Sequence, residues 1–119
     1  FETGRAALAL QEYKTNITYK PNHENSLNNI GIIYFNESNY NEAGLYFEKV
    51  IAINPSHPDA IGNLGAIAHN QGDLEKAIFY YEKSIFVDPT NQLIVGNMIK
   101  ACNQIGDVEK ANKYQRLLK

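Results

Sequence analysis

The chain has 119 residues, 44% of them hydrophobic and 20% charged, with a formal net charge of −2. That is the size of one ordinary domain with enough apolar content to bury a core. Its 11 lysines and arginines are scattered and form no basic stripe, so nucleic acid is not an expected partner. The lone Cys102 cannot build the disulfide framework of a small secreted domain and favours a reducing, cytoplasmic setting.

Apolar residues recur at helical spacing along the chain. Residues 1–23 carry Ala9 and Tyr13 before Pro21 and read as the second helix of a truncated unit, so a longer native protein is expected. Residues 24–57 hold a first helix with Leu27, Ile30 and Tyr34 on one stripe. A turn follows at Ser38-Asn39, and then a second helix with Ala43, Phe47 and Val50. Residues 58–91 repeat the plan with Ile61, Leu64, Gly65 and Ala68, a turn at Gly72-Asp73, and Ala77 and Tyr81. Residues 92–119 are divergent: Gly106-Asp107 and Ala111 keep register, but Ile99 and Gln115 replace the glycine and the aromatic of the earlier units. The last helix should therefore be more exposed, and the array is expected to end near Lys119.

Sliding the chain by 34 residues aligns Gly31 with Gly65, Pro21 with Pro55 and Pro89, and Ala9 with Ala43, Ala77 and Ala111. Glycine tolerates the left-handed conformation past a helix end, and the following aspartate accepts N–H bonds from the next first turn. Proline has no N–H and clashes with the preceding turn, so each second helix should stop just before Pro21, Pro55 or Pro89. The whole chain, 1–119, reads as one domain of helix-turn-helix units.

The period and the run Leu27, Ile30, Gly31, Tyr34, Ala43, Phe47, Pro55, repeated as Ile61, Leu64, Gly65, Ala68, Ala77, Tyr81, Pro89, resemble the tetratricopeptide repeat family. The family's leading tryptophan is aliphatic here. The resemblance implies an all-α fold, a right-handed α-α superhelix whose concave surface is lined by the first helix of each unit and binds other proteins.

Beside the core stripe Leu27, Ile30 and Tyr34, the spacing groups Asn29, Ile32 and Asn36 on a neighbouring face. The next units put Asn63, Ala66 and Asn70, then Asn97, Lys100 and Gln104, at the same positions. A primary amide offers two donors and an acceptor, so the row Asn29, Asn63, Asn97 suits an extended peptide backbone whatever its side chains. The row is similar to the asparagine row in the superhelical repeats of O-linked N-acetylglucosamine transferases. His69 and Lys100 should also face inward, each read first as a solvated side chain and second as a local preference for acidic or polar ligand groups. Gly62, Gly96 and Ala66 should leave shallow room there, read equally as space for ligand side chains or as compositional drift.

The dicarboxylate clamp of chaperone-binding members is not matched, because its positions hold Asn28, Ile32, Asn63, Leu93 and Asn97, without the three cations that a carboxylate tail pairs with. Tyr46, Tyr80 and Tyr114 recur on the second helices and read as packing between repeats. With 15 asparagines in the chain, the sequons at Asn16 and Asn36 read as chance.

No catalytic constellation stands out. His23, His57 and His69 are not at metal-ligand spacing, no cysteine pair exists, and no glycine-rich loop follows a strand. Glu48 and Glu82 read as solvated charges on second helices. No cofactor or metal is expected, no leader opens the sequence, and no apolar run, Ile30–Phe35 included, approaches the roughly 20 residues of a membrane span.

The leading expectation is a binding module that holds an extended protein segment as a scaffold or assembly factor. The alternatives are the substrate-recruiting arm of a larger enzyme such as a glycosyltransferase, and self-association.

Overall fold

The computed structural model describes residues 24–118; the expectations placed on residues 1–23 lie outside them. Among the described residues six helices run α1 Glu24–Asn36, α2 Tyr40–Ile53, α3 Pro58–Asn70, α4 Leu74–Val87, α5 Gln92–Ile105 and α6 Val108–Gln115. The described residues divide into two compact units, one up to Pro55 and one from Ser56 on.

In the first unit, α1 and α2 form a helical hairpin. Leu27, Ile30, Ala43, Phe47 and Val50 are all buried between them, and a side chain the size of Phe47 gains roughly 2–3 kcal/mol from leaving water. The helices approach closely because Gly31 has no Cβ: one placed there would lie 2.5 Å from Phe47 Cε1. The Asn54 side-chain amide donates to Glu24 Oε1 at 3.2 Å, joining the end of α2 to the start of α1.

Turn geometry follows the local sequence. Gly72 and Gly106 have φ of 82° and 88°, and Ser38, at the same repeat position, is forced to 62°. In each turn the following residue's N–H reaches back to close the helix end, Asn39 to the Tyr34 carbonyl at 2.9 Å, Asp73 to Ala68 at 2.9 Å and Asp107 to Cys102 at 2.8 Å. These closures satisfy carbonyls that would otherwise be orphaned. Asp73 and Asp107 then accept from Lys76 N and Lys110 N at 3.2 and 3.0 Å, whereas the Asn39 side chain makes no such cap. The second helices stop where proline dictates, with Asn54 and Asp88 extended before Pro55 and Pro89.

The second unit packs α3 on α4, α4 on α5 and α5 on α6, with α3 also touching α5. Its core gathers Tyr81 and Ile85 of α4, Ile94, Val95, Met98 and Cys102 of α5, and Ala111 and Tyr114 of α6. Gly65 repeats the close approach of Gly31, its missing Cβ falling 2.7 Å from Tyr81 Cδ1. Buried Ser84 donates to the Pro58 carbonyl at 2.8 Å, and Gln92 donates to that of Leu117 at 3.0 Å. Both bonds fasten the start of a first helix to the end of its second, as Glu24 and Asn54 do in the first unit.

Helix α6 buries only Ala111 and Tyr114. Gln115 is exposed where Phe47 and Tyr81 are buried, so no ring needs the glycine gap, and Ile99 fills that position by packing on the core. Cys102 is fully buried, and burial pushes its thiol pKa up, which makes it an inert packing residue.

Candidate functional site: the first-helix face

The candidate residues sit on the first helices, and their positions follow from helical spacing. In the first unit, Asn29 and Ile32 are half-buried on α1, and Asn36 is exposed at its last position. In the second unit, α3 presents half-buried Asn63 and Ala66 and exposed Asn70, while α5 presents half-buried Asn97 and exposed Lys100 and Gln104.

Side-chain hydrogen bonds hold this second-unit face together. His69 stands half-buried at the end of α3, its Nδ1 3.1 Å from the Tyr81 hydroxyl and its Nε2 2.6 Å from Gln104 Oε1. The amide oxygen can only accept, so Nε2 carries the proton and Nδ1 accepts from Tyr81. The imidazole thus links the ends of α3 and α5 through α4, and is not the merely solvated side chain the sequence suggests. Burial raises the Tyr81 pKa and keeps its hydroxyl a donor. Asn70 donates to the Ala66 carbonyl of its own helix at 2.9 Å, retaining its oxygen and a second N–H.

The expected room at Gly62 is not there. Gly62 is buried, and a Cβ on it would lie 2.6 Å from Ile94 Cδ1 and 3.2 Å from Ser84 Oγ, so the missing side chain admits a neighbouring helix and not a ligand. Gly96, one repeat later, has nothing within 4 Å of its Cβ position and is open.

Other side chains depart from the sequence reading. Tyr114 does pack between repeats, its hydroxyl donating to Glu82 Oε2 at 3.2 Å, and burial together with that carboxylate pushes its pKa up to about 12. Tyr46 instead stacks on Tyr34 of its own repeat at 5.7 Å. Glu82 is not a merely solvated charge, since it also pairs with Lys110 at 3.4 Å. His57 caps α3 by accepting from Ala60 N at 3.2 Å, a role signalled only by its place before Pro58-Asp59. Asp88 accepts from Thr90, which lowers its pKa.

Among the described residues, no group of three or more His, Cys, Asp or Glu could hold a metal. None of their helices is long and apolar enough to cross a membrane.

The fold is all-α, an array of helix-turn-helix repeats in which each first helix carries a polar face beside the apolar stripe that packs against its second helix. The sequence model of the tetratricopeptide repeat matches residues 25–57 and 58–91, more than half the chain, and the chain belongs to that family. Repeats of this family are generally non-catalytic modules of protein-interaction scaffolds. No curated protein matches this chain. Among solved structures, the MamA RS-1 ArsTM double mutant is similar, with a TM-score of 0.82 and 21% sequence identity over 97% of this chain and 65% of that one. The likeness at that identity is one of fold, and this chain spans less than two thirds of that structure's length.

Proposed function

We propose that this tetratricopeptide repeat domain holds an extended segment of a partner protein on its first-helix face, acting as a scaffold or assembly factor. The observation that carries the reading is the pairing of α3 and α5 in the second unit. Asn63 and Asn97 occupy one repeat register there, and the His69–Gln104 bond steadies the ends of the two helices. Helices in contact lie roughly 8–10 Å apart, about three residues of extended chain. Successive asparagines therefore meet the ligand backbone at intervals of about three residues, and their amides pair with both its C=O and N–H groups.

Asn29 offers the same amide from α1 in the first unit. Asn36 stands with Asn29 on α1 of that unit, while Asn70, Ala66, His69 and Lys100 flank or support Asn63 and Asn97 in the second; the repeated asparagine register is similar to the asparagine row of O-linked N-acetylglucosamine transferases.

The test is a comparative pull-down with the wild-type chain and the variant Asn29→Ala/Asn63→Ala/Asn97→Ala, both checked by circular dichroism. Alanine is the better helix former, so helicity should hold while partners are lost. Partners retained in full by the folded variant would remove the first-helix face as the binding site.

A further inference from the structure

We infer that the α5 face of the second unit selects an extended segment in which an apolar and an acidic residue are neighbours. The inference rests on the peptide-binding reading above and names the chemistry of its ligand. Leu93, Gly96, Asn97 and Lys100 lie along one stripe of α5. Leu93 is 72% exposed, a large apolar side chain left in water. Lys100 is exposed too, and the residues within a turn of it on this stripe, Gly96, Asn97, Asn103 and Gln104, include no acid. Between the two, the open Cβ position of Gly96 lets a second backbone come close to the helix beside the Asn97 amide.

Two helical turns, roughly 10 Å, separate Leu93 from Lys100. An extended segment crossing α5 at Asn97 points successive side chains to opposite sides. One of each neighbouring pair therefore meets Leu93 and the other meets Lys100.

Charge fixes which goes where. The repeat counterpart of Leu93 on α3 is exposed Asp59, which repels an acidic side chain from that rim, while the counterpart of Lys100 is the neutral Ala66. The acid is drawn to the Lys100 side and the apolar residue to the Leu93 side. The occupant is thus an extended peptide with adjacent apolar and acidic residues.

The experiment is fluorescence anisotropy with three labelled decapeptides carrying repeated Leu-Asp, Leu-Lys or Ser-Asp pairs, against the wild-type chain and the folded variants Lys100→Glu, Leu93→Ser and Asn97→Ala. The Leu-Asp peptide should bind about fivefold more tightly than the Leu-Lys peptide at low salt, the size expected of an exposed charge pair. Added salt should shrink that margin, and Lys100→Glu should reverse it. Leu93→Ser should abolish the advantage of Leu-Asp over Ser-Asp.

Equal binding of all three peptides, still lost in Asn97→Ala, would overturn this inference while leaving the peptide-binding reading in place. Binding of none of them, or binding untouched by Asn97→Ala, would overturn both. A mass that rises with protein concentration and falls in Leu93→Ser would assign the face to a second copy of the chain and overturn the inference as well.

Discussion

Gly65 and Gly96 both lie inside first helices, so intrinsic propensity predicts that alanine at either stabilises the chain by about 1 kcal/mol. The structure separates them. At Gly96 a Cβ meets nothing within 4 Å, and the propensity gain should appear in full. At Gly65 the Cβ would lie 2.7 Å from Tyr81 Cδ1, 2.8 Å from Cε1 and 3.2 Å from Tyr80 Cβ. Tyr81 is 1% exposed, a flat ring walled in by core and held by its hydroxyl bond to His69. Overpacking of that kind costs about 1–3 kcal/mol, and a strained or lost hydroxyl bond costs about 1 more. After the propensity gain is subtracted, Gly65→Ala should lose about 1–3 kcal/mol. Urea unfolding followed by circular dichroism, with a slope of roughly 1.5 kcal/mol per M for a chain of this size, should show the midpoint falling by about 0.7–2 M for Gly65→Ala and rising by about 0.7 M for Gly96→Ala. A Gly65→Ala protein as stable as Gly96→Ala would refute the close packing of α3 against Tyr81.

Ser38 holds the left-handed conformation its repeat partners assign to glycine. Ser38→Gly should stabilise the first unit by about 0.5–1 kcal/mol in urea melts, the relief of that conformation less glycine's greater unfolded-state freedom; a loss of stability would show that the serine side chain contributes more than its backbone costs. Alkaline pH should destabilise the second unit through Tyr114. A tyrosine whose folded pKa is raised from 10 to about 12 keeps its proton in the native state after the unfolded chain has shed it. Its contribution is therefore complete below pH 10 and lost as pH rises through about 12. Urea midpoints measured across that window should fall less steeply in Tyr114→Phe than in wild type, and parallel declines would exclude Tyr114 as a source.

The repeat surface and the repeat core answer to different constraints. On the second helices, Phe47 and Tyr81 are wedged against glycines, and Tyr114 reaches Glu82, so these positions tolerate little change. On the first helices, Asn97 is half-buried and Lys100 exposed, so substitution there should cost little stability. This division lets a repeat scaffold alter its ligand without altering its fold.

The amino-acid sequence by itself determined the period of 34 residues, the helix pairs, the turns at Ser38, Gly72 and Gly106 and the stops before Pro55 and Pro89. Each of these rests on local physics: the spacing of apolar residues, the φ a residue tolerates, a missing N–H. It also placed Asn63 and Asn97 at one register, because side-chain direction on a helix follows from residue count. Only the tertiary structure decided that Gly62 is filled while Gly96 is open, since the atom that fills it belongs to Ile94, more than thirty residues further on. The same holds for the His69 bridge between Tyr81 and Gln104 and for the Glu82 contacts with Lys110 and Tyr114. Such contacts join side chains from different helices, whose meeting depends on how those helices pack and is written in no short stretch of chain.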